Sequence, residues 1–389
     1  MAGIYPEIKG CLGFGFMRLP KTEDKDDKGR ELIDYEESKL MVDRFMEHGF
    51  NYFDVAHAYM DERAEEALNI CLTSRHPRES YILTNKLSDA YFKEEGDIRP
   101  FFEKQLEVCG VDYFDFYLMH AQDRIFYEQY TRCRAYEIAQ ELKEEGKVRH
   151  VGISFHDRAE VLEQILSEHP EIEVVQLQIN YIDYDTESIQ CSKCLEVCRK
   201  YGKPVIVMEP VKGGVLARVP EDVEDIFREV SDDSPASIAL RFAAGCDGVF
   251  LTLSGMSDMN QVDDNCNHMK NFKPLDEKER EAVEKAVEAF SRKNVIPCTA
   301  CRYCTVGCPM NIDIPTLFSC MNMREMFRGW TSPYYYQRSI IDKGLAKDCI
   351  GCGACEAICP QHLNIRELLE KVAETFAKQE KKEEDRRNG

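Results

Sequence analysis

The 389-residue chain has no apolar run long enough to cross a membrane as a helix, which excludes a spanning helical segment. It begins Met1-Ala2-Gly3-Ile4-Tyr5-Pro6, without a basic stretch followed by an apolar one. No signal peptide is therefore expected, and the cytoplasm is the expected location. Positive charge is scarce: 50 Lys and Arg stand against 71 Asp and Glu, for a net charge of −21. Such a field repels phosphate backbones and argues against a nucleic-acid partner. The deficit is uneven, because from Arg292 onward 15 Lys and Arg meet 12 Asp and Glu. The acid excess thus lies upstream, and the charged tail from Lys378 to Gly389 reads as a solvated, fraying helix end. A glycine-rich dinucleotide fingerprint and a flavin fingerprint are both absent.

Cysteine is abundant. Eighteen of them in a chain without an export signal do not read as a disulfide framework. They read as thiols and metal ligands in a reducing, oxygen-poor cytosol. Eight fall into a repeat: Cys298-x2-Cys301-x2-Cys304-x3-Cys308-Pro309 recurs as Cys349-x2-Cys352-x2-Cys355-x3-Cys359-Pro360. Three thiolates on a tight loop can hold three iron corners of a cubane, and the cysteine before proline ligates the other cluster in two-cluster ferredoxins. This predicts two 4Fe–4S clusters, one on Cys298, Cys301, Cys304 and Cys359, the other on Cys349, Cys352, Cys355 and Cys308. Zinc favours two separated CxxC pairs rather than four cysteines and a proline repeated in register. About forty residues separate the motifs, and the stretch 314–327 has helical spacing. A small, mainly helical ferredoxin-like domain is expected, with Cys320 as a packing residue.

Upstream, short apolar runs at 11–18, 52–56, 81–87, 114–120, 148–154, 174–180, 205–209 and 249–254 alternate with amphipathic stretches at 36–48, 63–72, 99–109, 135–145, 158–168 and 237–244. Eight such alternations predict a (β/α)8 TIM barrel of the α/β class. A last helix is expected from an Asp276–Glu279 capping box to Arg292. The barrel is placed at residues 1–290 and the cluster domain at 291–389.

Barrel chemistry sits at the C-terminal strand ends. In order these offer Asp54, with Tyr59 in the loop beyond, then Lys86, His120, Ser154, Asn180, Glu209 and Ser254. Asp54, Tyr59, Lys86 and His120 can build a proton donor. An ammonium favours the phenolate form of a neighbouring tyrosine, an aspartate keeps the lysine charged, and a histidine orients a carbonyl oxygen.

These segments resemble the aldo-keto reductases. The matching stretches are Asn51-Tyr52-Phe53-Asp54-Val55-Ala56-His57-Ala58-Tyr59, Thr84-Asn85-Lys86, the run from Gly110 to His120, Val151-Gly152-Ile153-Ser154, Gln176-Leu177-Gln178-Ile179-Asn180 and Met208-Glu209-Pro210-Val211-Lys212-Gly213-Gly214. With the cysteine module, the chain resembles the iron–sulfur branch of that family. The resemblance implies NAD(P)H-linked, reversible reduction of an aldehyde or ketone, with Tyr59 as proton donor, Lys86 and Asp54 tuning it, and His120 placing the substrate oxygen. It implies that Ser154 and Gln176 hold the nicotinamide carboxamide and that Gly255, Ser257, Gln261, Asp264 and Asn265 clamp the adenosine end. The chain departs from the family pattern in three places. Phe155 replaces an asparagine, Met208 stands where an aromatic stacks on nicotinamide, and Gly255-Met256-Ser257-Asp258 has no cation for a 2′-phosphate. NADH is expected to serve at least as well as NADPH.

Nicotinamide gives up two electrons together, whereas a cluster takes one. Three roles follow for the clusters: structure or redox sensing beside a carbonyl reductase, electron transfer through a bound flavin, or delivery to a ferredoxin or flavodoxin partner. The rival to the enzyme reading is an electron-transfer or sensor protein whose barrel serves as a flavin site or docking scaffold. Substrate choice is assigned to the loops at 60–65, 121–127 and 181–188. Cys191, Cys194 and Cys198 fall on one helix face and read as buried packing residues rather than a third metal site.

Overall fold

The computed structural model describes residues 4–291, 295–327 and 329–388. The chain forms two compact units, one of residues 1–181 with 191–281, the other of 182–190 with 282–389.

In the first unit eight parallel strands close a barrel. They are β1 (Leu12–Gly15), β2 (Tyr52–Asp54), β3 (Ile82–Leu87), β4 (Phe114–Gln122), β5 (Val148–Phe155), β6 (Val174–Gln178), β7 (Val205–Met208) and β8 (Val249–Ser254). All eight expected strands are present. Between them run the expected helices, with shifts of a few residues. The largest is at Glu95–Cys109, which starts four residues before its expected first residue because Glu94 and Asp97 form a capping box ahead of Pro100. The stretch expected at 63–72 divides into Ala64–Leu68 and a wider turn over Asn69–Thr73. A charged hairpin, Lys21–Lys25 with Glu31–Ile33, follows β1. No apolar alternation announced it.

Side chains alternate along a strand with period two. The barrel interior is filled by Tyr52, Ile82, Phe116, Leu118, Val174, Ile206, Leu251 and Leu253. Counting by twos toward the C-terminal ends leads from Tyr52 to Asp54, from Ile82 to Lys86, from Phe116 to His120 and from Val174 to Gln176. The polar cluster is therefore the top layer of the same inward-facing columns that make the core. Parallel pairing fixes the register, with Asp54 opposite Thr84 and Lys86 opposite Leu118, so that Lys86 and His120 each stand two residues beyond the neighbouring strand's partner. At Gly152, a Cβ would lie 2.5 Å from Val174 O, so only glycine lets β5 and β6 pair here. Asp276 and Glu279 form the expected capping box, each accepting the other's backbone N–H at 2.9 Å. Their helix runs over Glu277–Ser291, and Arg292 lies outside the described residues.

The second unit contains helices Tyr303–Val306, Ile314–Phe327, Thr331–Ser339, Ala354–Ala357, Ile365–Thr375 and Ala377–Asn388, with no strand among its described residues. Cys320 is fully buried. Residues 182–190, assigned from sequence to a barrel loop, pack within this unit: Glu187 accepts from Arg302 Nε at 3.1 Å, and the Ser188 and Ser319 hydroxyls are 3.0 Å apart.

The C-terminal helix is not the fraying end expected from its charge. Glu380 and Glu383 are buried. Glu380 accepts from Tyr336 OH at 2.6 Å and Ala346 N at 2.8 Å, while Glu383 is clasped by Arg386 and Arg387. Phe376 stacks on Tyr336 with ring centroids 4.0 Å apart. Charge-rich composition hides the Glu380 and Phe376 contacts because their partners lie about 40 residues away. Glu380→Ala leaves two donors unmet and should cost about 1–3 kcal/mol. A shift in chemical denaturation midpoint checks this; an unchanged midpoint would mean the helix is solvated after all.

Among the described residues no helix is long and apolar enough to cross a membrane.

Candidate active site and candidate cluster site

At the top of the barrel, Lys86 Nζ donates to Asp54 Oδ1 at 2.6 Å and to Val55 O at 3.0 Å. Both side chains are buried, so the pair is stable only if its remaining polar atoms are met. Asp54 Oδ2 accepts from Gln176 Nε2 at 3.1 Å. Lys86 Nζ lies 4.8 Å from the centroid of the Tyr59 ring, and Tyr59 meets His120 edge-on with ring centroids 5.8 Å apart. Ser88 Oγ is 2.6 Å from His120 Nδ1. The four side chains named from the sequence thus form one cluster, with Tyr59 and His120 partly exposed.

Burial works against charge on Lys86, yet the Asp54 carboxylate and the Tyr59 phenol beside it hold its ammonium above the ordinary lysine range. His120 is pushed well below the ordinary histidine range by burial, then by Lys86 and His156, so it is a neutral imidazole. Tyr59 departs from the sequence-based expectation. Lys86 does pull its pKa down, but burial raises it by more, with Asp54 and Glu209 adding to the rise. The phenol therefore keeps its proton at neutral pH, as a donor must.

The residues expected around a nicotinamide are distributed as follows. Ser154 Oγ accepts from Ala121 N at 2.8 Å, and Gln176 is committed to Asp54. Met208 is partly exposed at the end of β7. Asp258 caps the helix Met259–Lys270. Ser257 N donates to Gln261 Oε1 at 2.9 Å, and Ser257 Oγ to Arg18 O at 2.7 Å. Asp264 accepts from Ser234 Oγ at 2.7 Å, whereas Asn265 is buried and donates to Ser254 Oγ at 3.0 Å. The stretch 255–258 itself carries no cation, but the fold brings one from the loop after β1. Arg18 packs over Gly255, where a Cβ would meet its Cδ at 3.3 Å, and its guanidinium is 3.5 Å from Glu209 Oε1.

In the second unit the eight motif cysteines line two small cavities. One is lined by Cys298, Cys301, Cys304 and Cys359, the other by Cys308, Cys349, Cys352 and Cys355. Each ring therefore draws three cysteines from one loop and its fourth from the other. The remaining walls are largely apolar, with Ile314 shared between them. The two loops also share a backbone pattern. Ala300, Arg302 and Asn311 adopt left-handed φ in the first, and Gly351, Gly353 and His362 do so at the matching positions of the second. Left-handed turns curl the chain into concave nests that suit an anionic sulfide cage. Among the described residues no three His, Cys, Asp or Glu side chains converge on a point as for a single ion. Four thiols around a small apolar cavity fit a 4Fe–4S cluster by donor type and number.

Residues 11–288 match the model of the Aldo/keto reductase family, well over half of the chain. The chain belongs to that family. Residues 297–364 match a 4Fe-4S dicluster domain, so this aldo/keto reductase carries such a domain C-terminal to its barrel in sequence. Relatives include the orangutan (Pongo abelii) Aldo-keto reductase family 1 member C3, 27% identical over 176 residues, which cover 40% of this chain and 50% of that one. The NADH-specific methylglyoxal reductase of Escherichia coli is 26% identical over 199 residues, 46% of this chain and 58% of that one. The chain thus spans little more than half the length of these curated relatives. Among solved structures, the holo form of an aldo-keto reductase from Bacillus halodurans superposes with a TM-score of 0.57 at 24% identity, covering 71% of this chain and 91% of that one. This last likeness concerns the fold.

Several residues around the reductase site escaped the sequence reading. Ser88 sits two residues beyond Lys86, and period-two counting along β3 could have found it. Gln176, matched from sequence to a cofactor role, also donates to Asp54, a contact the sequence did not signal. Arg18 and Glu209 meet across 191 residues, a separation no local pattern signals. Cys191, Cys194 and Cys198 are all buried, with Cys194 Sγ 3.9 Å from Asp157 O, and burial pushes the Cys198 thiol up to about 12.

Proposed function

We propose that this aldo/keto reductase reversibly reduces an aldehyde or ketone with a nicotinamide cofactor, Tyr59 being the proton donor. One observation supports this most: the Lys86 ammonium is fixed by Asp54 against the face of a protonated Tyr59, with neutral His120 alongside. The nicotinamide, when bound, supplies hydride to the carbonyl carbon. Tyr59 OH gives its proton to the carbonyl oxygen, and Lys86 stabilises the phenolate left behind. With its Nδ1 engaged by Ser88, His120 presents Nε2 as the nitrogen to orient that oxygen. In alcohol oxidation the same phenolate takes the proton back. Ser154, Gln176 and Met208 would lie along the nicotinamide, and Gly255, Ser257, Gln261, Asp264 and Asn265 along the adenosine. The two family matches, over 11–288 and 297–364, support a barrel domain over 1–290 and a cluster domain over 291–389, whereas the compact units divide at 281/282 and assign 182–190 to the second unit.

Anaerobically purified protein should consume NADH when offered short aldehydes. Failure with a broad aldehyde panel, cofactor binding being intact, would sink the proposal. NADH should also bind no worse than NADPH, because Arg18, the cation packed on Gly255, is already paired with Glu209. Calorimetric titration of both cofactors measures this. A hundredfold preference for NADPH, about 2.7 kcal/mol, would mean that Arg18 leaves Glu209 to take a 2′-phosphate.

We read the domain's clusters as two, ligated in the crossed sets that line the two cavities. A second reading, single-electron exchange with a ferredoxin or flavodoxin partner, is favoured by surface chemistry. Cys301 and Cys352 are exposed, and so are Val306, Ile350 and Ile358 beside the ligand cysteines. Cluster bleaching by a reduced one-electron carrier, compared with bleaching by NADH, separates the two roles.

A further inference from the structure

The polar groups next to the tetrad that take no part in the proposed proton transfer converge on one buried carboxylate. Glu65 is 1% exposed and stands in the short helix Ala64–Leu68 that follows the Tyr59 turn. Its Oε2 lies 2.6 Å from His57 Nδ1. Its Oε1 accepts from Asn85 Nδ2 at 2.8 Å and from Gln105 Nε2 at 2.9 Å. Each of these partners leads to the reacting side chains. His57 belongs to the same turn as Tyr59, whose N–H donates to Ala56 O at 3.0 Å and whose carbonyl accepts from Ala64 N at 3.3 Å. Asn85 precedes Lys86 and accepts its N–H at 2.8 Å, while Gln105 Nε2 also reaches Lys86 O at 3.1 Å. Gln105 is steadied in turn by Tyr117 OH, 2.7 Å from its Oε1.

We infer that Glu65 is a positioning residue: one carboxylate holds the turn bearing Tyr59 and the strand bearing Lys86 at a set spacing. The inference rests on the reading of Tyr59 as proton donor. One carboxyl group bonded to side chains of both elements holds them with little play. Displacement of a catalytic group by about 1 Å can cost about 100-fold in rate. A carboxylate accepts on both oxygens, whereas an amide offers one acceptor and two donors. Glu65→Gln replaces one acceptor oxygen by an NH₂, so His57 must switch to the tautomer that accepts at Nδ1 or lose the bond, and the Tyr59 turn is loosened from β3. Glu65 touches neither the phenol nor the ammonium, so the effect runs through their positions.

The test uses the cluster-loaded full chain with Glu65→Gln and His57→Leu, the second of which releases the turn while leaving both amide donors on Glu65. Two quantities are read. The first is kcat against KM for an accepted aldehyde. The second is the ¹³Cζ resonance of Tyr59, assigned by its loss in Tyr59→Phe, which senses hydrogen bonding of the phenol whether or not the protein turns over. Expected are a fall in kcat of about 10- to 100-fold with KM within about twofold, and a displaced Tyr59 resonance in both variants. If the melting temperature falls while the resonance and kcat stay at wild-type values, Glu65 is only a core residue and the inference is overturned. If Glu65→Gln does not fold, His57→Leu decides by the same two readouts. Wild-type protein that reduces no aldehyde defeats the functional proposal instead, and the resonance still decides the positioning role.

Discussion

Replacing Tyr59 with phenylalanine should lower turnover by about 10²- to 10⁴-fold, the usual contribution of a general acid, while cofactor affinity stays near wild type. The ring and its packing beside His120 remain, and only the proton is lost. Single-turnover oxidation of bound NADH by an accepted aldehyde measures the chemical step directly. A wild-type rate in Tyr59→Phe would remove the barrel from carbonyl chemistry and leave the electron-transfer reading. The pH profile makes the same prediction independently. Tyr59 faces Lys86, Asp54, Glu209 and His120, and its pKa lies above the ordinary tyrosine value because burial outweighs the lowering by Lys86. Reduction needs the protonated phenol, so its rate should be flat through neutral pH and fall only above about 10. Alcohol oxidation needs the phenolate and should rise over that same range. His120 stays neutral, its pKa depressed by burial, and adds no limb at neutral pH. Lys86→Met removes the ammonium that lowers the phenol's pKa, so both limbs should move to higher pH. It also strands the buried Asp54 with Gln176 alone, a loss of about 3–5 kcal/mol in stability, so this variant is compared at a temperature where it is folded.

The second large effect concerns the clusters. Anaerobically isolated protein should hold about eight iron and eight sulfide per chain, as two complete cysteine sets require. Cys359→Ala should remove about half of the iron, and the paramagnetic signal it abolishes should be the one lost in Cys301→Ala. Cys308→Ala should instead share its lost signal with Cys352→Ala. The reason is geometric: Cys359 lines the cavity of the first loop and Cys308 that of the second. Should Cys359→Ala share its lost signal with Cys352→Ala, each loop would ligate its own cluster and the crossed assignment would be wrong. Zinc in place of iron would discard it altogether.

The barrel and the helical cluster domain were legible because both rest on short-range regularities. Short apolar runs alternated eight times with amphipathic stretches, and every expected strand formed within a few residues of its expected ends. The cysteine repeat was legible because ligand spacing on a tight loop is a local constraint. Asp54, Lys86 and His120 could be named because inward-facing columns end at a fixed place, the top of a parallel barrel. The hairpin after β1 could not be, since Lys21–Lys25 carries charge at nearly every position and buries almost nothing. The C-terminal helix was misjudged because Glu380 and Phe376 find their partners in distant groups, Tyr336 and Ala346.

Sequence by itself thus determined which side chains stand at the barrel mouth and which thiols form the two rings. Tertiary structure alone decided how those side chains behave. The protonation of Tyr59 is a sum over everything that surrounds it, and the burial term that wins exists only once the barrel closes. Gln176 meets Asp54 across 122 residues, and Glu65 joins the Tyr59 turn to the Lys86 strand through Asn85 and Gln105. Arg18 reaches Gly255 only because β1 and β8 are neighbours in the closed barrel. Such contacts follow from the closure of the barrel, and no periodicity along the chain encodes them, because hydrogen bonds and desolvation depend on distance in space rather than separation in sequence.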